Sequence, residues 1–238
     1  MVNRIIFILF FSVICVYQSG AQQLKQKNLP NFDTKKYHFG FLLSVNTADF
    51  YIDYKPDFTF ADSLLGLANA PQSGFNLALL ASYDFTRNIH FRFIPGLSFQ
   101  DRGLNFRFKE EDGTTDVILK RTESVYLDFP ILVKLRTNRV DNFAAYALIG
   151  GKYSRDMQSQ KDVNNAIGNE VIIRLKDNDY SLDVGGGVDF FLPFFKLSIE
   201  MKTAIGLTNV LIQEESRFSS PIESLRTRTF VFSLCFEG

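Results

Sequence analysis

From residue 37 onward the chain alternates apolar and polar positions with a period of two, the signature of half-buried strands rather than helices. In the first segment Tyr37, Phe39, Phe41, Leu43 and Val45 share one face, against His38, Gly40, Ser44 and Asn46. The second sets Phe75, Leu77, Leu79, Ala81, Tyr83 and Phe85 against Gly74, Asn76, Ala78, Ser82 and Asp84. The third sets Ile89, Phe91, Phe93, Leu97 and Phe99 against His90, Arg92, Gly96, Ser98 and Gln100. The fourth, SVYLDFPILVKLR at residues 124–136, carries Val125, Leu127, Phe129, Ile131, Val133 and Leu135 opposite Asp128, Lys134 and Arg136. Segments at residues 143–153, 180–190, 195–205 and 229–236 continue the pattern, the 143–153 stretch least cleanly because alanines and glycines blur its faces.

Eight such segments have the length of strands that cross a bilayer, about 9–11 residues each. The connections alternate as well: 86–88, 137–142 and 192–193 are short, whereas 47–73, 101–123, 154–179 and 208–227 are long. Short periplasmic turns with long outer loops are the rule in bacterial outer-membrane barrels. The expected fold is therefore all-β, an eight-stranded antiparallel transmembrane β-barrel occupying residues 37–238. Within the second long connection, 104–108 and 117–119 around 110–113 read as a hairpin prolonging two strands beyond the bilayer. Pro95 and Pro130 each remove a ladder donor, and a closed barrel has no edge strand to hold them, so each should mark a bulge or local break.

Alternation alone also fits a soluble barrel with its apolar face inward. Volume decides against it, because an eight-stranded barrel has an interior only just wide enough for side chains. The apolar set of Phe, Leu, Ile and Tyr is too bulky to pack inside. The opposite set mixes small residues with Asp84, Arg92, Asp128, Lys134, Asp183, Asp189, Lys196, Glu200 and Lys202. Of these, Arg92, Asp128, Lys134, Asp183, Lys196 and Glu200 are the expected structural lumen charges, since an ion inside a barrel must be paired or hydrated.

Composition adds the address. Arg4 followed by the apolar run at residues 5–17 and by Ser19, Gly20 and Ala21 reads as a signal peptide over 1–21, cleaved near Ala21. Cys15 follows Ile14 rather than a small residue, unlike a lipoprotein cysteine. Residues 22–36 are polar, contain Pro30, and read as a loosely ordered periplasmic lead-in. Cys235 is the sole cysteine left, so no internal disulfide is available. Lys plus Arg and Asp plus Glu both number 26, which gives no hint of nucleic-acid binding.

The residues offer little catalytic chemistry. His38 and His90, the two histidines, lack Cys, Asp or Glu at metal-ligand spacing, so no metal or other cofactor is expected. A hydrolase built from His90, Ser98 and Asp84 would draw on different strands, and no G-x-S-x-G sequence exists. Gly185, Gly186 and Gly187 precede no helix and read as close strand packing or a bulge rather than a phosphate loop. Asp177, Asn178 and Asp179 read as turn chemistry before a weak cation site.

The stretches NLPNFDTKKYHFGFLLSVNTADF (28–50), FIPGLSFQDRG (93–103), ESVYLDFPILVKLR (123–136), KYSRDMQSQKDV (152–163), DYSLDVGGGVDFFLPFFKLSIE (179–200) and the ending FVFSLCFEG together resemble the PorT family of Bacteroidota. Members are outer-membrane barrels required by the type IX secretion system, which exports proteases, adhesins and gliding-surface proteins. The resemblance implies a non-enzymatic barrel that assists assembly or stability of the translocon, with outer-membrane lipid and other secretion components as partners and no catalytic residues to transfer. Met157, Gln158, Gln160, Val163 and Ile167 are the expected partner-contact surface, because they place apolar groups among amides in an exposed stretch. The alternatives are a generic structural or small-solute barrel, and a lipid-modifying enzyme that would depend on His90 or Ser98.

Overall fold

The computed structural model describes residues 27–55, 64–109, 112, 114–158, 173–213 and 218–238, so the expected signal segment and the start of the expected lead-in lie outside the described residues. Nine strands follow a single 3-10 turn, Phe32–Thr34: β1 (Tyr37–Tyr54), β2 (Leu64–Asp84), β3 (Ile89–Phe93), β4 (Gly96–Lys109), β5 (Thr115–Arg136), β6 (Phe143–Asp156), β7 (Asn178–Phe191), β8 (Lys196–Gly206) and β9 (Ile222–Glu237). All pairings are antiparallel between chain neighbours, and β1 closes the ring by pairing with both β2 and β9. β3 and β4 are one barrel strand interrupted at Ile94 and Pro95, both halves pairing with β2 and β5. The molecule is thus an eight-stranded closed barrel, and no helix among the described residues is long and apolar enough to cross a membrane.

The two prolines meet at that interruption. Ile94 N–H donates to the Pro130 carbonyl at 3.2 Å and Leu79 N–H to the Pro95 carbonyl at 2.9 Å. In each narrow pair the carbonyl half survives and the reciprocal bond is lost, since proline has no N–H. The register on either side is unchanged, Phe93 facing Ile131 and Gly96 facing Asp128. The expected disturbance is therefore a local break without a bulge, and β5 itself runs on through Pro130 in register with β6.

The apolar face points outward, as the volume argument requires: Phe39 is 66% and Leu79 68% exposed, while inward Arg92 and Lys134 are 1% and 2%. Aromatic pairs mark two rims of this outer belt. Tyr37 with Tyr83 (5.1 Å), Phe85 with Phe91 (6.0 Å) and Phe143 with Phe190 (5.6 Å) stand at the short-turn end. Phe75 with Phe99 (4.5 Å) and Tyr153 with Tyr180 (5.2 Å) stand at the other. Girdles flanking an apolar band about 25 Å tall are what a bilayer demands.

Several strands run far past the outer rim. β2 has 21 residues and β5 has 22, about twice what a bilayer needs. Most of the expected 47–73 loop is consequently strand, and the expected hairpin is the outer half of β4 and β5, paired from Gln100 with Ser124 to Lys109 with Thr115. Above the rim β1 leaves β2 and continues with β9 alone, to Tyr54, while β2, β4 and β5 form a second blade. In both blades most of the apolar residues take the inner face, although Val117 and Leu119 on β5 stay outward. Phe50, Ile222 and Leu225 from one blade meet Leu64, Leu67, Leu104, Phe106 and Phe108 from the other. Ile173, Leu175, Val210, Leu211 and Phe218 from the connections fill the space between. Burying a Phe or Leu is worth about 1.5–3 kcal/mol, so this cluster is a self-sufficient core outside the membrane.

Candidate functional site

The lumen is the natural place to look for chemistry in a barrel, and it is organised in layers. Toward the short turns, Arg92 donates to Glu200 at 3.1 Å and to Glu237, Lys196 reaches Glu237 at 2.8 Å, and Lys134 holds both Asp189 oxygens at 2.8 Å. Ser198 and Tyr146 complete the shell, donating to Asp189 at 2.6 Å and to Glu200 at 3.1 Å, with the Lys134 ammonium 3.7 Å over the Tyr146 ring. Three cations and three anions cancel, which is what permits ions to be buried here. Tyr146 has room because Gly187 lies beneath it: a Cβ there would meet the Tyr146 hydroxyl at 2.6 Å and the Ile199 carbonyl at 2.3 Å. The Gly185, Gly186, Gly187 run is close packing, with continuous register to β6 and β8 and no bulge.

An apolar cluster of Leu42, Leu80, Ile94, Leu132 and Cys235 comes next. On β3, β5 and β9 it follows directly on Arg92, Lys134 and Glu237. Beyond it Asp128 meets Lys152 at 3.8 Å and Asp183 meets Lys202 at 3.4 Å, again two cations for two anions. A polar lattice follows: Ser44 on Ser233, Asn46 and Ser98 on Asn76, Gln100 on Ser98, and Arg102 on Gln100 and Tyr126. Two cavities among the described residues of this lumen measure about 30 Å³, against Asp128, Lys152 and Lys202, and about 10 Å³, against Arg102 and Tyr126. Each holds about one water. The six expected lumen charges, Arg92, Asp128, Lys134, Asp183, Lys196 and Glu200, all face inward, each with an opposite charge within 4 Å.

Both mouths are covered. Outside, the two-blade core caps the polar lattice. At the short-turn end the lead-in folds back, so the expectation of a loose segment fails for residues 27–36. Phe32 is buried, stacked on His38 at 3.9 Å and edge-on to Phe191 at 5.7 Å, with the Lys196 ammonium 4.5 Å over its ring. Asp33 pairs with Arg136 at 2.7 Å and Arg139 at 3.8 Å, and Asn28 bonds Asn142 and the Phe191 carbonyl. A polar sequence concealed this, because one aromatic and one carboxylate anchor the segment.

The rejected catalytic set stays apart. His90 bonds Asp84 at 2.5 Å and His38 approaches the same carboxylate at 3.3 Å, but Ser98 bonds Asn76 in the outer lattice beyond the apolar layer. The pairing of both histidines with Asp84 was not legible from sequence spacing, since it depends on β1, β2 and β3 being adjacent. Asp179 accepts from Thr208 and Thr227 and is spent on hydroxyls rather than on a cation. No metal-binding group occurs among the described residues. Of the expected contact surface, Met157 and Gln158 are exposed, Met157 donating its N–H to the Val125 carbonyl at 2.8 Å. Gln160, Val163 and Ile167 lie outside the described residues.

Residues 21–211 match the model of a family described as outer membrane protein beta-barrel domain. The chain belongs to this family. It is an outer-membrane β-barrel protein, localised to the outer membrane and in contact with its lipid. No curated protein matches it. Solved structures similar to this outer-membrane barrel include OprG of Pseudomonas aeruginosa, with 12% identity, 90% of this chain and 98% of that one covered, and a TM-score of 0.48. The outer membrane protein AlkL, solved in lipid bilayers, shows 12% identity over 92% and 94% of the two chains at 0.44. Ail, the attachment invasion locus protein of Yersinia pestis, shows 13% identity over 86% and 100% at 0.39.

Proposed function

We propose that this protein is a non-enzymatic barrel that supports type IX protein secretion in a member of the Bacteroidota, assisting assembly or stability of the translocon by contact. The observation that carries this reading is the sealed lumen. Ten of the charges there are paired within three-and-three and two-and-two groups, Arg102 is bonded to Gln100 and Tyr126, the described cavities hold single waters, and both ends are covered. A barrel with such an interior acts through its rims, its lipid face and its outer blades. The PorT resemblance of the sequence supplies the system those surfaces would serve.

Removing the gene tests it. Cargo proteins of the type IX pathway should remain inside the cell in the deletion strain and reappear in the medium on complementation. Normal export in the deletion strain would leave a generic structural barrel.

A further inference from the structure

The outer blade of β2, β4 and β5 has two edges, and they are treated differently. The β2 edge is stitched to β1 by side chains: Asn69 donates to the Phe50 carbonyl at 2.5 Å and Tyr54 to the Leu67 carbonyl at 2.9 Å. In the companion blade, the upper part of β9 is continued by the chain itself, Val210 N–H bonding the Leu225 carbonyl and Lys176 N–H bonding the Val210 carbonyl. Among the described residues the β5 edge has no such cover. β6 pairs with β5 only from Tyr126 to Arg136, and its last bond is from Met157 N–H to the Val125 carbonyl.

Strand geometry says which groups this leaves open. In an antiparallel ladder the N–H and C=O of one residue point to the same neighbour, and successive residues alternate. Pro130 and Arg136 bond toward β3, and Val125 bonds toward β6. Even residues therefore serve β4, and the odd residues 115, 117, 119, 121 and 123 aim their backbone at the uncovered side. Among the described residues nothing meets them. Long uncovered edges are templates for strand addition, which proteins ordinarily blunt with proline, a bulge or a covering loop.

We propose that residues 115–123 of β5 are a docking edge for an extended segment of another protein at the cell surface, which adds to this blade as a fourth strand. This deepens the contact-based reading above and rests on it. The side chains beside the edge state the partner's chemistry. Val117 and Leu119 are exposed on the outward face, at 57% and 37%, and an added strand would set its alternate residues beside them. Toward the bilayer Arg121 and Glu123 follow on that same outward face, while Lys120 turns inward with its ammonium 5.0 Å from the Phe218 ring. The fitting segment is about nine residues long, apolar at alternate positions in its outer part, with an acidic residue to meet Arg121 and a basic one to meet Glu123. Met157, the described apolar member of the expected contact stretch, sits at the foot of this edge.

Proline substitution separates docking from folding. Leu119→Pro removes an N–H that bonds nothing among the described residues, whereas Lys120→Pro removes a donor to β4 and should impair the blade itself. A photo-crosslinking residue is placed at position 117 of the full chain in native outer membranes. The expected result is an adduct with a different polypeptide, reduced in Leu119→Pro by about tenfold or more beyond whatever loss Leu119→Ala shows, with barrel insertion unchanged. An adduct indifferent to Leu119→Pro, one confined to the same chain or to a second copy, or none at all, overturns the docking edge. If deletion of the gene blocks secretion while Leu119→Pro secretes normally, the edge fails and the contact-based function stands. If deletion leaves secretion intact, the functional reading fails whatever the crosslink shows.

Discussion

Arg92 lies between Glu200 and Glu237 with its side chain wholly out of solvent, and it is the residue on which the inner charge layer balances. Removing one member of a buried ion group leaves the others uncompensated, at a cost of about 3–5 kcal/mol. Arg92→Met should therefore lower the unfolding free energy by about that amount in urea titrations of the refolded barrel. Adding Glu200→Gln and Glu237→Gln to it should restore part of the loss; equal stability of the single and triple variants would show that the three charges do not act as a unit. At the strand tips the same reasoning gives a pH effect. The Ser224 hydroxyl and then Arg226 hold the Asp53 carboxyl below the usual carboxylate range, outside the membrane. A depressed pKa means stability that is present at neutral pH and lost as pH falls through the folded value. Titration of Asp53 by NMR should show a midpoint below that of a free aspartate, and Ser224→Ala should raise it.

At the scale of strands, the barrel was legible in the sequence wherever one face met lipid. Tyr37 to Val45 on β1 and Phe75 to Phe85 on β2 keep their apolar residues on odd positions for the length of the bilayer. Beyond the rim the phase inverts. On β1 the apolar residues become Ala48, Phe50 and Ile52, and on β4 Leu104, Phe106 and Phe108 follow Leu97 and Phe99. A period-two search tuned to one phase ends the strand there, which is why the 47–73 stretch looked like a loop. The inversion has a physical cause: inside the membrane the exterior is hydrocarbon and the lumen polar, and outside it the exterior is water and the interior must be dry. The lead-in escaped for another reason, since Phe32 and Asp33 find partners on β1, β5, β7 and the 137–142 turn, which no local pattern encodes. Most lumen charges were legible, but Glu237 and Lys152 were missed at the end of the last segment and on the blurred fifth one, and no pairing was readable because pairing follows barrel closure.

For the whole molecule, the sealed interior sets an electrical expectation. Reconstituted into planar bilayers, the intact protein should add no steady conductance above the lipid leak at either polarity. A stable open level would mean that the layers described here part under voltage, and the contact-based account would then lose its main support. The lipid face is not smooth: grooves of about 460 and 300 Å³ flank the Pro95 interruption, lined by Phe41, Leu43, Leu77 and Leu97 in one and Phe39, Tyr83 and Phe93 in the other. Acyl chains of the surrounding bilayer fit that lining.

The dry core above the membrane also bears on how the protein comes to rest where it does. Its contributors, Phe50, Phe106, Phe108 and Phe218 among them, lie on separate hairpins that must each cross the bilayer before they can meet. Once across they collapse on one another, and the outward arginines Arg226 and Arg228 stay in water with Asp53 and Asp49. Withdrawing any hairpin would require taking that core apart and dragging ions back through hydrocarbon. The core therefore works against withdrawal, so that the outer blades help to hold the barrel in place once it has assembled.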